Sequence, residues 1–317
     1  MCFKLSVCLI GLLSGSAVVG NNDINPSGIP GPFNDEFNQS IDLLNNNTSA
    51  WHVLGAGQMD ERASEMHMMD GLFTVVPEIV HHNAWFQDDY GPLLYQNVTG
   101  NFAAAVHLRV SSATDLDSPP NVEYNAGGFV IRDASGTHNG DENWVMYNMG
   151  GQGRNGVTYA REMKKTVNSV SNLFLTQQVS MEEYLLACRV GDDFYFYYWA
   201  DEIQDWRQET FYNNFDVDGV STTTWRNSNN VTPEIIAAGN GQANPMHFNH
   251  SAMPETVQVG VMSHTWDNNG TGSGSRGDFE FIRFASNSPQ TQSDCTAAFP
   301  QLGNDLIFET GFELLVE

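Results

Sequence analysis

The feature that most constrains this chain is a succession of short apolar runs in which large side chains recur at every second position. In the run over 102–110 the large apolar residues are Phe102, Val106, Leu108 and Val110. A period of two is the pattern of a β-strand with one buried face, whereas an amphipathic helix repeats every 3.6 residues. No long stretch carries a convincing helical period, so we expect a protein built almost entirely of strands.

Further runs of this kind follow, separated by turn-forming residues. They cover 128–132, 143–147, 173–176, 184–190, 193–199, 256–263 and 278–284. The Gly191-Asp192 step between two of them predicts a β-hairpin. The best candidate for a short helix is 59–69, which could equally be a loop. Many short strands with few helices predict an all-β domain over 33–284, a two-sheet antiparallel β-sandwich of the jelly-roll type.

The first twenty residues have the features of a secretory signal. Lys4 is the lone positive charge, an apolar run covers 5–13, and the small residues Gly15, Ser16 and Ala17 follow. The run is too short to span a bilayer, and no other segment approaches the length of about 18 apolar residues that a span requires. We therefore expect a secreted protein, extracellular or periplasmic, from which 1–20 is removed.

Composition changes on both sides of the predicted domain. Residues 21–32 are rich in Asn, Gly and Pro, and residues 285–304 are rich in polar and turn-forming residues. Both compositions predict linkers. The last segment, 305–317, resembles a short terminal motif of exported bacterial proteins, and the alternative is a frayed terminus.

The charge of the chain limits its partners. It carries 13 Lys and Arg against 38 Asp and Glu, a formal net charge of −25 at pH 7. Phosphate contacts need Lys or Arg, so this charge argues against nucleic acid or an anionic membrane as the partner. The same charge fits poorly with a polyanionic substrate.

Two cysteines, Cys188 and Cys295, would remain after removal of the signal. In an exported protein they could form one disulfide. The alternative is two free cysteines, with Cys188 buried in an apolar strand. The chain has no Cys-x-x-Cys pair, which excludes zinc ribbons and thioredoxin chemistry.

Five blocks in the middle of the chain carry a family resemblance. They are 124–133, 142–145, 183–199, 257–261 and 277–284. Their order and spacing resemble those of concanavalin A-like lectin/glucanase sandwiches, in the non-catalytic branch that accompanies glycosidases or occurs alone in exported proteins. This resemblance implies a carbohydrate-binding protein whose partner is a polysaccharide or another glycan.

Aromatic rings pack against the apolar face of pyranose rings, and a few placed polar groups fix the sugar's orientation. The candidate ligand-binding residues are Trp85, Arg132, Trp144, Tyr147, Tyr197, Trp199, His264 and Trp266. The alternative is that the aromatic residues are core, because the interior of a sandwich also needs large rings.

The resemblance also implies a possible structural calcium ion between the first and last strands. The matching carboxylates are Asp35 or Glu36, together with Asp278. Calcium prefers carboxylate and carbonyl oxygens, which this chain has in excess. The alternative is that these are ordinary surface carboxylates.

The sequence does not favour catalysis. Glycosidases need two carboxylates across the scissile bond, and the Glu-x-Asp-x-x-Glu strand of laminarinase-type sandwiches is missing. A polysaccharide lyase could use a His and a Tyr near Arg132, but the strand motifs that such lyases carry are also missing. A hydrolase or lyase on the same fold therefore remains the alternative to a non-catalytic binding protein.

Overall fold

The computed structural model describes residues 34–45, 50–54, 62–78, 91–122, 124–135, 141–151, 159–177, 180–212, 243–245, 247–265 and 274–300. The strands are β1 Ile41–Asp42, β2 His52–Val53, β3 Ala63–Met69, β4 Leu72–Pro77, β5 Leu94–Thr99, β6 Phe102–Ser112, β7 Asn125–Arg132, β8 Trp144–Gly151, β9 Ala160–Val167, β10 Val170–Gln177, β11 Glu182–Val190, β12 Asp193–Ala200, β13 Asp205–Gln208, β14 Thr210–Tyr212, β15 Ala243–Pro245, β16 His247–Asn249, β17 Thr256–His264 and β18 Ser275–Phe284. A helix, α1, covers Gln292–Ala297. No helix in these ranges is long and apolar enough to cross a membrane.

The strands form two large sheets. A nine-stranded sheet has the order β1-β3-β4-β18-β6-β11-β12-β13, with β16 also paired to β12. A seven-stranded sheet has the order β10-β9-β8-β7-β17-β5-β2, and β14 pairs with β15 separately. The pairings within both sheets are antiparallel. The predicted all-β, two-sheet antiparallel sandwich is therefore confirmed.

One hydrophobic core lies between the sheets. Strand β6 shows why the sequence builds it, because Val106, Leu108 and Val110 all belong to this core, whereas the intervening His107 and Arg109 do not. The seven-stranded sheet contributes alternate residues in the same way, including Phe129 and Val145. The period of two in the sequence therefore marks the side of each strand that faces the other sheet.

The predicted hairpin is also present. Strands β11 and β12 pair from Leu185 with Tyr198 to Val190 with Asp193. Gly191, in the two-residue turn, has a φ of 62°. That left-handed conformation is favourable for glycine, which has no Cβ to clash with the backbone.

The predicted helix over 59–69 is wrong for its described part, which is strand β3 paired with β4. Its methionines favour a helix in isolation, but Met66 and Met68 are buried on one side of the strand. Burial of these side chains and pairing with β4 outweigh the weak local preference.

The predicted linker over 285–304 is also wrong as far as residue 300. Helix α1 lies within it, and Cys295 and Phe299 are buried there. The side chain of Asp294 accepts hydrogen bonds from the backbone N–H groups of Gln290 and Thr291, which supports the first turn of the helix. The predicted signal at 1–20, linker at 21–32 and tail at 305–317 lie outside the described residues.

Candidate functional site

Each large sheet has a second face, which points away from the shared core. We call the outer side of the seven-stranded sheet the front face; its described residues include Arg132, Trp144, Asn148, Glu162, Lys164, Gln258 and His264. We call the outer side of the nine-stranded sheet the back face; its residues include Ala103, Ala105, His107, Tyr184, Leu186, Cys188, Tyr197, Trp199, Trp206 and Phe281. The apolar members of the two faces form clusters separate from the core. Alternation along each strand places these residues opposite the core side.

The front face centres on Trp144. This ring is 3% exposed and lies directly across from Arg132 on the neighbouring strand. The ammonium of Lys164, on the other neighbouring strand, lies 5.3 Å from the centre of the Trp144 ring. Arg132 and Lys164 are 8% and 6% exposed, so one buried ring stands between two buried cations. Such burial of charged side chains is rare in a face that serves only packing.

A neutral polar pair lies further along the same face. The amide of Asn148 is satisfied when its nitrogen donates to the backbone oxygens of Phe129 and Tyr147, at 3.0 and 3.2 Å. Its oxygen then accepts from Nε2 of His264 at 2.9 Å. Burial lowers the pKa of His264 to about 3, with a further contribution from the positive charge of Lys164. His264 is therefore neutral at physiological pH.

One carboxylate belongs to this face. Glu162 pairs across the strands with Asn148 and is fully buried. Its charge, after the larger effect of burial, raises the pKa of the nearby Tyr124 hydroxyl. In the described strands of the front face Glu162 is the only acidic side chain, whereas a glycosidase mechanism requires two.

One position on the front face, Gly128, requires a glycine. Gly128, at a φ of 150°, lies between Asn148 and Met262 in the register of the sheet. A Cβ on Gly128 would lie 2.5 Å from the backbone oxygen of Tyr147 and 2.7 Å from Cα of Asn148. Glycine is therefore required for β7 and β8 to approach closely beneath the polar groups.

The back face is apolar and is covered by the C-terminal part of the described chain. Cys188 and Cys295 form a disulfide with Cα atoms 5.8 Å apart, which joins α1 to β11. The indole of Trp206 donates to the backbone oxygen of Phe299 at 2.9 Å and packs edge-to-face on Trp199. This cover explains why the apolar side chains there are buried.

The back face also buries a histidine, His107. The ring of His107 stacks on Tyr184, with centres 4.0 Å apart. Its Nδ1 lies 2.6 Å from Glu280 and its Nε2 lies 3.0 Å from Glu182. Burial alone lowers the pKa of His107, but hydrogen bonds and charge from the two carboxylates prevail and raise it. The geometry favours an imidazolium that donates from both nitrogens.

A network of polar side chains also lies in the interior, between the two sheets. The hydroxyl of Tyr147 donates to Glu209 at 2.6 Å, and Arg161 forms an ion pair with the same carboxylate. Arg161 also lies 3.7 Å from Glu183. Burial, together with the charges of Glu209 and Asp201, raises the pKa of Glu183 to about 7 even though Arg161 opposes the shift. This network fixes the segment after β13 to the interior.

The structure therefore separates the predicted ligand-binding residues. Arg132, Trp144 and His264 lie together on the front face. Tyr197 and Trp199 lie on the back face, in contact with the C-terminal cover, and Tyr147 lies in the core. A single platform of these six residues is thus not present, because Tyr197 and Trp199 lie on a strand of the other sheet and alternation turns Tyr147 to the core.

The other two predicted residues, Trp85 and Trp266, lie outside the described residues. Sequence reasoning also missed Glu162 and Lys164, because the polar run over 161–165 does not resemble a strand. The alternation of its side chains between the core and the front face becomes visible only when β9 is paired with β8.

The predicted calcium ligands do not fit one ion. Both oxygens of Glu36 accept from Arg283, at 2.7 and 2.9 Å, and those of Asp35 accept from the Phe37 N–H and the Trp51 indole. Asp35 pairs with Ile282 of β18, four residues from Asp278 and thus about 13 Å along the strand.

Asp278 is also engaged by protein groups, because it accepts from Thr74 at 2.6 Å and from Arg276 at 2.8 Å. Within the described ranges no group of three or more His, Cys, Asp or Glu side chains is arranged to hold a metal ion. Calcium binding by this protein therefore stays a prediction, but Asp35, Glu36 and Asp278 do not form its site.

Comparisons with known proteins find only distant structural similarity. No protein-family model matches the chain, and no curated protein matches it. A functionally unknown protein from Saccharomyces cerevisiae is 14% identical, with a TM-score of 0.43, over 80% of this chain and 99% of that chain. The GH43 BlXynB protein from Bacillus licheniformis is 11% identical, with a TM-score of 0.46, over 81% of this chain and 39% of that chain. Basic winged bean lectin is 10% identical, with a TM-score of 0.41, over 78% of this chain and 98% of that chain. Function has to be argued from this chain's own residues.

Proposed function

We propose that this chain is an exported, non-catalytic carbohydrate-binding β-sandwich of the lectin-like kind, with its ligand site on the front face. The observation that carries the proposal is the buried group of Trp144, Arg132 and Lys164 on a sheet face that does not belong to the core. Burial of charge costs free energy, and perturbed ionisable groups concentrate at functional sites.

The chemistry of this group suits a sugar. The indole of Trp144 is 3% exposed and the Lys164 ammonium lies over it, so the front face would have to open for this ring to stack on pyranose C–H groups. Arg132 and Lys164 are hydrogen-bond donors, and Gln258 adds an amide group on the same side of the sheet. A few polar groups around an apolar surface are typical of small-ligand sites.

A hydrolase on this fold is the alternative, and a lyase is a further one. Glu162 is the single acidic residue on the described front-face strands, which favours binding over two-carboxylate hydrolysis. The fully buried, neutral His264 is held by Asn148, which does not favour a histidine base open to substrate. Release of reducing sugar or of unsaturated product from any polysaccharide in a panel would overturn the non-catalytic proposal.

Export is proposed from the predicted signal over 1–20. The Cys188–Cys295 disulfide supports this proposal, because structural disulfides persist in oxidising compartments. Sequencing the N-terminus of the mature protein from the medium or the periplasm tests it. An intact N-terminus in the cytoplasmic fraction would contradict it.

The binding proposal is tested with a glycan array followed by calorimetry on the best ligand. We expect Trp144→Leu to lower the affinity at least tenfold, because it removes the stacking surface. Trp199→Leu is the matched control, since it removes an indole from the back face. Equal effects of the two substitutions, or binding of no glycan by the folded wild-type protein, would contradict the proposal.

A further inference from the structure

We propose that the edge of the nine-stranded sheet formed by β1 and β3 is a docking surface for an extended peptide segment in which basic and apolar side chains alternate. This edge has a groove of about 370 Å³. We call it the edge groove; it is lined by Ser40, Ile41, Asp42, Leu44 and residues 64–69. The edge groove belongs to a different sheet from the front face, so this inference is independent of the proposed glycan site.

The backbone at this edge is only partly paired. Strand β1 has two residues, whereas β3 has seven. β1 pairs with β3 at Met68 and His67, and one further backbone hydrogen bond reaches the oxygen of Met66. From Met66 toward Ala63, no described strand pairs with the outer edge of β3. Unpaired main-chain groups at a sheet edge are a template for another extended segment.

Apolar side chains line the edge groove, and some of them are accessible. Met69 is 49% exposed, and Ile41 and Leu44 are half-buried. Met66 and Met68, which also line the groove, belong to the core and connect it to the rigid interior. Methionine side chains are flexible and adapt to the shape of a partner. Unlike the closed polar cluster of the front face, this groove is open to solvent.

The charge around the edge groove indicates the chemistry of the partner. Asp42 and Glu65 are exposed carboxylates that line it. The amide of Asn45 donates to Asp42 at 2.8 Å, and this hydrogen bond holds the pKa of Asp42 below its usual value. Arg276 lies 3.4 Å from Glu65, but it also pairs with Asp278 at 2.8 Å. One guanidinium shared by two carboxylates leaves this edge negative, which favours a basic partner.

The same charge argues against a second copy of this chain as the occupant. Pairing of two such edges would bring like charges together, in addition to the formal net charge of −25 on each molecule. In an extended segment with alternating basic and apolar residues, the two kinds of side chain point to opposite sides. Such a segment can place its apolar side chains in the groove and its basic side chains beside the carboxylates.

The experiment uses the full mature chain and three short labelled peptides with blocked ends, measured by fluorescence anisotropy at pH 8. In the first peptide Lys alternates with Leu, in the second Glu alternates with Leu, and in the third Lys alternates with Ser. We expect the Lys-Leu peptide to bind at least tenfold more tightly than either of the others, because only this peptide matches both the apolar lining and the negative charge.

Variants then assign the binding to the edge groove. Met69→Ser is expected to weaken binding of the Lys-Leu peptide about fivefold, because it removes an apolar contact. Glu65→Gln is expected to weaken it about threefold, the usual scale of an exposed ion pair. Val170→Ser is the matched control, because Val170 is 43% exposed but lies on β10 at the edge of the other sheet, and it should leave binding unchanged. Circular dichroism confirms that each variant is folded.

Several outcomes would overturn the inference. Equal binding of the Lys-Leu and Lys-Ser peptides would show non-specific attraction to a negative protein. Preference for the Glu-Leu peptide, binding of no peptide, or equal losses in Met69→Ser and Val170→Ser would contradict the assigned surface. A dimer in analytical ultracentrifugation that Met69→Ser abolishes would show that a second copy is the occupant. The glycan array tests the front face separately, so none of these results decides glycan binding.

Discussion

The two outer faces of the sandwich are built by the same rule and have opposite chemistry. Both are the alternate positions of strands whose other side forms the core, and both are buried. The back face is mainly apolar, with His107 between Glu182 and Glu280 as an exception, and it is covered by a helix that a disulfide ties to β11, so packing accounts for most of its burial. The front face buries Arg132, Glu162 and Lys164, which packing alone does not require. The back face is thus buried by a cover within the chain, whereas the buried charges of the front face are the basis of the proposed ligand site.

The largest expected effect comes from removing the disulfide that ties the cover to the back face. Cys188 and Cys295 are 107 residues apart, and closing a loop of that length restricts the unfolded chain strongly. We expect the double substitution Cys188→Ala and Cys295→Ala to lower the free energy of unfolding by about 2–5 kcal/mol, measured in urea. Glycan affinity of the folded variant is expected to stay unchanged. A loss of affinity would show that the two faces are not independent.

Gly128→Ala is the corresponding test of the front face. The added Cβ meets the backbone of β8, so we expect about 2–4 kcal/mol of destabilisation and weaker glycan binding. Gly191→Ala is the control, because Gly191 also has a positive φ but has open space around its Cα. It is expected to cost about 1–2 kcal/mol through strain and to leave binding intact. Urea unfolding and calorimetry measure the two quantities.

Glu183→Gln tests whether the carboxyl of Glu183, which lies between the two sheets, is protonated in the folded protein. A carboxyl whose pKa rises from 4.5 unfolded to about 7 folded stabilises the fold below pH 4.5 and loses that contribution as pH rises to 7. The variant should therefore match the wild type at pH 4 and exceed its unfolding free energy by about 1–3 kcal/mol at pH 8. Urea unfolding at both pH values measures this difference. An equal change at both values would contradict the protonation of Glu183.

The smallest expected effect concerns two of the buried histidines, His107 and His264. His107, with its pKa raised by Glu182 and Glu280, contributes stability in full below the unfolded value of 6.5 and loses it as pH rises through its folded pKa. We expect His107→Gln to cost about 1.5 kcal/mol at pH 5 and less at pH 9, measured by urea unfolding.

His264 should behave in the opposite way, because its pKa is lowered to about 3. Its contribution is present above pH 6.5 and is lost as pH falls toward 3, so NMR should find it neutral at pH 5 while His107 is protonated. Protonation of both histidines at pH 5 would remove this contrast between the faces.

The local sequence pattern was sufficient to predict most strands, but it did not predict which residues form the front face. The hairpin of β11 and β12 and the inward positions of β6 follow from alternation and turn residues, which act within a few positions of the chain. Strand β9 was not predicted, because its polar side chains Glu162 and Lys164 are buried only through pairing with β8. The helix at 292–297 was hidden by a linker-like composition.

The sequence by itself determined the all-β class, since a period of two over many short runs is stable only where the apolar sides of strands pack against one another. It also identified Trp144, Arg132 and His264 as candidate ligand-binding residues. Only the tertiary structure decided that these three share the front face, that Tyr197 and Trp199 lie beneath the C-terminal cover, and that Cys188 meets Cys295. The reason is physical: alternation sets which side of a strand a residue occupies, but pairing between distant strands sets which residues stand beside it.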